Sequence, residues 1–154
     1  MRKKTLAALL VLFLLLCSGC GKTGYPDLPK DGIAFEMGSF EDTEHDSALF
    51  GTLEHNGRIY IMYGTTRSSY GPKKIDACIG YIIRDEHSSS FTDLSDKNRR
   101  VYTLAGDEEQ NFLIDYDDTV KLMDQPSVWR AIDTRGKDIE IPDFIEELGY
   151  DFWK

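Results

Sequence analysis

The sequence predicts a mainly β domain, a small antiparallel meander that forms a barrel or a sandwich and ends in a short C-terminal helix. Apolar and polar residues alternate in several short segments, which are rich in tyrosine, isoleucine, valine and phenylalanine. These residue types favour strands, and short strands divided by turn residues are typical of small barrels and sandwiches. The length of the region predicts a single β-rich globular domain over residues 33–154.

The clearest turn signal is Asn56-Gly57, which lies between two apolar-rich runs. This dipeptide favours a two-residue type I′ hairpin because both positions need a positive φ. With these residues as the loop, Leu53 faces Tyr60 and His55 faces Arg58. Neither face of the hairpin is uniformly polar, so we expect both faces to be covered.

Five further segments carry strand signals. Apolar residues alternate in the first two, and the third and fourth flank a polar turn at Gly106–Glu109. The fifth follows Pro126, which limits backbone hydrogen bonding on one side. The segments are Ile33–Met37, Ile75–Ile83, Arg99–Leu104, Asn111–Tyr116 and Val128–Asp133.

The C-terminal part has a helical signal. Pro142 suits a first helical position and Gly149 a helix end. Phe144 and Leu148 have helical spacing, so we expect one to two helical turns packed on the sheet. Two polar segments, Thr65–Lys74 and His87–Asn98, predict long loops, and loops on a rigid scaffold commonly carry binding residues.

The first twenty residues have the features of an export signal. Three basic residues, Arg2, Lys3 and Lys4, precede the apolar stretch Leu6–Leu16, which has signal-peptide length and is too short to span a membrane. The sequence Cys17-Ser18-Gly19-Cys20 follows. It resembles the lipobox of bacterial lipoproteins, which reads Leu, Ala or Ser, Gly or Ala, and then the modified Cys. Cys17 departs from that pattern by replacing the leucine.

The resemblance to bacterial lipoproteins implies cleavage before Cys20 and a diacylglyceryl thioether on Cys20. Residues 1–19 would then be the signal peptide. Residues 20–32, which are rich in glycine and proline, would be the lipidated cysteine and a flexible tether. Two acyl chains give stable anchoring, so the expected location is the extracytoplasmic face of the cell membrane. A plain secreted protein and an uncleaved anchor are the alternatives.

The chain is acidic, with 18 basic and 27 acidic residues and a formal charge of −9. Removal of the three basic residues of the signal would leave a charge of −12. Nucleic acid is bound through lysine and arginine, so this charge argues against a nucleic-acid partner. It is compatible with cationic partners or metal ions, although solubility is the simpler explanation.

The chemically reactive residues do not form a recognisable site. The acidic runs Glu41–Asp46 and Asp115–Asp118 fail the ligand spacing of a calcium-binding loop. Ser88–Ser90 lack the strained glycine-flanked turn of a hydrolase nucleophile. The three histidines are scattered and lack zinc-ligand spacing: His45, His55 and His87. We therefore predict no catalytic residue, no metal ligand and no cofactor, with Cys20 as the single modified site.

The remaining cysteine and the aromatic residues predict core packing. Cys78 has no cysteine partner once Cys17 and Cys20 are accounted for, and its apolar surroundings predict a buried thiol. Tyr81 and Trp129 are expected in the core. The aromatic C-terminal tail is expected to lock onto the sheet.

These observations favour a non-enzymatic interaction module held near the membrane. Such a module would recruit, inhibit or shield another protein, for which the two predicted loops or the hairpin face are the expected contacts. A small-ligand or metal-binding lipoprotein is the alternative reading. An envelope hydrolase is a third and rests on little beyond location.

Overall fold

The computed structural model describes residues 24–44, 48–67, 71–83, 99–117 and 126–154, which form a single curled sheet. Nine strands occur in the described residues, with three short 3₁₀ turns at Pro72–Lys74, Ile132–Thr134 and Asp151–Trp153. The strands are β1 Ile33–Glu36, β2 Gly38–Asp42, β3 Ala48–His55, β4 Arg58–Thr66, β5 Ile75–Ile83, β6 Arg99–Leu104, β7 Phe112–Asp117, β8 Ser127–Ala131 and β9 Ile145–Glu147.

The strand order is β1-β5-β6-β7-β8-β4-β3-β2, with β9 added to β4. All neighbours are antiparallel except β1 and β5, which are parallel. The outermost strands of this order, β1 and β2, are separated in the chain by Met37 alone. Because one residue joins the two edge strands, the sheet curls into a half-barrel, in which β1 and β2 do not pair with each other. This confirms the predicted mainly β fold with meander connections, and it adds the parallel pair.

The predicted hairpin is confirmed. Leu53 pairs with Tyr60 and His55 with Arg58. Both loop residues have positive φ, 52° at Asn56 and 73° at Gly57. From Tyr60 to Tyr63 the side chains of β4 alternate between two apolar clusters, so this part of the hairpin is covered on both faces. The expectation fails elsewhere in the hairpin, because Leu49 in β3 is 72% exposed and Ile59 in β4 is 41% exposed.

The two apolar clusters lie on opposite faces of the sheet. The inner cluster fills the concave side and receives residues from seven strands: Phe35, Leu53, Tyr60, Ile82, Val101, Leu113, Trp129 and Ala131. The outer cluster includes Ile61, Tyr63, Tyr102, Phe112 and Val128 and is covered by both chain ends. Cys78 is buried in the outer cluster, which confirms its predicted place in the core.

The N-terminal segment contributes to this cover. Tyr25 and Leu28 pack on the outer cluster. The Tyr25 ring lies 6.3 Å from the Tyr102 ring and 5.6 Å from the Tyr116 ring, between centroids. The residues after Gly24 are therefore attached to the domain, although the sequence placed them in a tether.

The helix predicted between Ile141 and Gly149 is wrong. Ile145–Glu147 is instead strand β9, which pairs with Gly64–Thr66 at the end of β4. Seven or eight residues gain little as an isolated helix because nucleation is costly. Pairing with β4 satisfies the backbone and buries Phe144 and Ile145. Helical geometry at this end is limited to the 3₁₀ turn Asp151–Trp153.

The aromatic tail locks onto the sheet, as predicted. Phe152 and Trp153 are buried, and Trp153 Nε1 donates to the Met62 carbonyl at 3.4 Å. The Trp153 ring stands edge-on to Tyr63, with 5.5 Å between centroids. Within the described residues, no helix has the length and apolar character to span a membrane. The predicted signal, Cys20 and the loop His87–Asn98 lie outside these residues.

Candidate functional site

A groove of about 900 Å³ opens on the outer surface of the domain. Its walls are Lys73 and Lys74, the turn between β6 and β7, and the segment Asp138–Phe144. We call it the acidic groove because six carboxylates and two lysines line it. These residues are Asp107, Glu108, Glu109, Asp138, Glu140, Asp143, Lys73 and Lys74.

The β6–β7 turn is fixed by its own side chains. Asp107 accepts hydrogen bonds from two backbone amides, at 3.0 Å from Asn111 N and 2.7 Å from Phe112 N. Gly106 adopts a φ of 87°, which glycine tolerates best. The Ala105 amide donates to the Lys74 carbonyl at 3.0 Å, which joins this wall to the neighbouring one. A backbone hydrogen bond thus links two walls of the groove.

The third wall is held at its two ends. Lys137 N donates to the Thr134 carbonyl at 3.1 Å, and Arg67 N donates to the Phe144 carbonyl at 2.9 Å. Between these ends, residues 138–141 make no backbone–backbone hydrogen bond with the described part of the chain. This wall therefore presents amide and carbonyl groups that a ligand can pair with.

The floor of the groove is apolar. Phe112 and Phe144 line it and are buried beneath the surface. Lys74 Nζ lies 4.1 Å from the centroid of the Phe144 ring, which is a cation–π distance. The floor already accommodates one cationic side chain in this way.

The six carboxylates divide into two groups by their contacts. Asp107 caps the turn, and Glu109 Oε2 accepts a hydrogen bond from Asn111 Nδ2 at 3.1 Å. The other four are exposed and have no hydrogen bond or ion pair with the described residues: Glu108, Asp138, Glu140 and Asp143. Their charge is available to a ligand.

Arg58 stabilises the β6–β7 turn, which forms one wall of the groove. Its guanidinium donates to the carbonyls of Glu109 and Gln110, at 2.7 and 3.0 Å, and forms an ion pair with Asp133 at 2.8 Å. Burial lowers the pKa of Arg58, but the hydrogen bond to Asp133 and neighbouring charges raise it overall. The Tyr60 hydroxyl also donates to the Gln110 carbonyl at 2.8 Å. The β3–β4 hairpin thereby fixes the β6–β7 turn.

His55 is buried beside this network. Its ring lies 5.9 Å from the Phe35 ring, between centroids, and its Nε2 is 3.1 Å from Asn56 Nδ2. The buried Nδ1 atom has no hydrogen-bond partner in the described part of the protein. Burial lowers the pKa of His55, so the neutral imidazole is favoured.

A second polar group lies inside the curled sheet. The buried Asp115 carboxylate pairs with Arg99 at 2.7 Å and accepts a hydrogen bond from Trp129 Nε1 at 2.6 Å. Arg99 also donates to Ser127 Oγ at 3.3 Å. These contacts join β6, β7 and β8, so the group holds the sheet together.

The structure separates the residues that the sequence singled out as acidic runs. Asp42 is buried in β2 and accepts a hydrogen bond from Glu44 N at 3.1 Å, whereas Asp115 is committed to Arg99. No group of three potential metal ligands occurs among the described residues. His45, His87 and the serines beside His87 lie outside those residues. Sequence reasoning missed the groove, whose third wall carries the acidic spacing Asp138, Glu140 and Asp143.

Comparison with protein-family models, with curated proteins and with solved structures finds no match to this chain.

Proposed function

We propose that this protein is a lipid-anchored, non-enzymatic interaction module that works on the extracytoplasmic face of the cell membrane. The acidic groove is the observation that carries the interaction role. A rigid β scaffold presents there an apolar floor, unpaired backbone groups and four uncommitted carboxylates. The lipobox-like sequence ending in Cys20 supports the location and the anchor.

The packing of the N-terminal segment gives the anchor a mechanical role. Tyr25 is seated on the outer cluster, and five residues after a lipidated Cys20 span at most about 18 Å. Gly24 lies against Pro72, which directly precedes the groove residues Lys73 and Lys74. Lipidation of Cys20 would therefore keep the groove within reach of partners at the membrane surface.

Cross-linking on intact cells, followed by affinity capture and mass spectrometry, tests this function. We compare the wild-type protein with Cys20→Ala and expect a specific partner, at near-stoichiometric yield, with the anchored form alone. A partner captured equally by both forms would remove the anchor from the mechanism. Capture of no specific partner by the anchored form would contradict the interaction role.

A small-ligand role is the second candidate, and the size of the groove favours it. Pockets for small molecules commonly enclose about 300–1,000 Å³, and the groove lies within this range. A library of small cationic molecules screened by thermal shift separates the two roles. A ligand that stabilises the protein and blocks partner capture would show that the groove serves small molecules.

A further inference from the structure

The acidic groove combines properties that together select one kind of occupant. We propose that it binds a basic segment of a partner polypeptide, one in which lysine or arginine side chains alternate with small apolar ones. This inference rests on the interaction function proposed above and names the chemistry of the partner.

The charge of the groove selects a cationic occupant. Six carboxylates against two lysines leave an excess of four negative charges. Asp107 and Glu109 are engaged within the β6–β7 turn, but Glu108, Asp138, Glu140 and Asp143 have no partner in the described residues. A second copy of this chain, with a formal charge of −9, would be repelled. Nucleic acid would be repelled in the same way.

The backbone and the floor select a polypeptide in preference to a small cation. Residues 138–141 offer amide and carbonyl groups that are unpaired in the described structure, and a peptide can pair with them. Phe112 and Phe144 lie buried beneath these groups and support them. Ile141 is 43% exposed on the same wall and adds apolar surface at the rim. A bare metal ion would use neither the floor nor the backbone amides.

Lys74 determines where a partner cation would be held. Its Nζ lies 4.1 Å from the centroid of the Phe144 ring, in the groove that the six carboxylates also line. Lys74 already occupies this ring face, so a partner lysine or arginine would pair instead with the exposed carboxylates Glu108, Asp138, Glu140 and Asp143. Lys73, which is exposed and lines the groove, opposes such a cation and should weaken its binding.

Fluorescence anisotropy with the full-length lipidated protein in phosphatidylcholine nanodiscs tests the proposal. The probe is a labelled ten-residue peptide of alternating lysine and valine, with a glutamate–valine peptide and empty nanodiscs as controls. We expect the lysine peptide to bind, the glutamate peptide to fail, and the affinity to fall as salt is raised.

A matched pair of fourfold variants assigns the binding to the groove. Glu108→Gln, Asp138→Asn, Glu140→Gln and Asp143→Asn together should weaken binding about tenfold. Asp31→Asn, Glu36→Gln, Glu41→Gln and Glu54→Gln remove the same charge from exposed positions elsewhere, and we expect less than about a twofold effect. Lys73→Gln should strengthen binding severalfold, an increase that misfolding would not produce.

Several results would overturn the proposal. Equal losses in the two fourfold variants would reduce the effect to overall charge. Binding of both peptides alike would show an apolar surface without charge selection, and displacement of the peptide by calcium at a fixed stoichiometry would identify a metal site. Partner capture in cells that survives the groove substitutions would refute this inference and leave the interaction module standing. Peptide binding without any captured partner in cells would contradict the interaction function and leave the peptide chemistry of the groove standing.

Discussion

Substitution of Asp115 tests whether its buried ion pair stabilises the concave side of the sheet. The side chain of Asp115 is 3% exposed, and its two oxygens accept hydrogen bonds from Arg99 Nε at 2.8 Å and from Trp129 Nε1 at 2.6 Å. Asp115→Asn keeps the shape but replaces one acceptor by an amide donor. One of the two donors would then face another donor, and the Arg99 charge would lose its counter-ion.

The cost follows from the burial of the pair. Removing one partner of a buried ion pair costs about 3–5 kcal/mol. The side chain of Arg99 is 25% exposed and recovers part of its hydration, so we expect a loss of about 2–4 kcal/mol in the free energy of unfolding. Urea unfolding followed by far-ultraviolet circular dichroism measures this loss without relying on the tryptophan that the substitution touches.

The control is Asp133→Asn, which removes a carboxylate from a surface pair. The side chain of Asp133 is 55% exposed, and its ion pair with Arg58 is largely solvated. We expect a loss below about 1 kcal/mol. If Asp115→Asn were as stable as the wild type, or if both substitutions cost the same, the assigned role of the buried pair would be wrong.

Three further predictions address the sheet closure, the buried histidine and the C-terminal tail. Gly80→Ala places a methyl group against the Ile33 carbonyl of β1 and should lower the free energy of unfolding, measured in urea, by about 2–3 kcal/mol. The methyl group of Gly51→Ala lies mainly against the flexible end of the Met37 side chain, so its loss of stability should be smaller. A larger loss for Gly51→Ala than for Gly80→Ala would contradict the close packing of β1 on β5. Because burial lowers the pKa of His55, the unfolded chain takes up a proton that the folded protein does not, so stability should fall as pH drops below about 6.5. His55→Gln should reduce that slope in unfolding measured between pH 7.5 and 5, and an unchanged slope would exclude His55 as its source. Trp153→Ala removes a buried aromatic ring of the tail and should lower the free energy of unfolding, measured in urea, by about 3–5 kcal/mol. A loss below about 1 kcal/mol would show that the tail does not stabilise the sheet.

Local signals predicted much of the sheet. Asn56-Gly57 gave the hairpin and its register because a two-residue turn with positive φ leaves one pairing for the flanking strands. Alternation located β5, and the paired segments around Gly106–Glu109 located β6 and β7. These features depend on a few neighbouring residues, so the sequence carries them directly.

Long-range pairing accounts for what the sequence did not reveal. Pro142 and Gly149 are compatible with a helix, but the pairing of β4 with β3 ends at Ile61. Ile145–Glu147 instead pairs with Gly64–Thr66 at the end of β4. The groove was missed for the same reason. Its walls come from residues 73–74, 105–112 and 138–144, which the fold brings together although no local pattern joins them.

The parallel pairing of β1 with β5 has a consequence for the order of folding. Ile33 pairs with Gly80, 47 residues further along the chain, so the amino end of the domain completes its place after β5 is present. Closing so long a loop costs more conformational entropy than closing a local hairpin. The β3–β4 and β6–β7 hairpins should therefore form earlier. With Cys20 as the proposed lipid attachment point, β1, the first described strand after that anchor, would be among the last to become ordered.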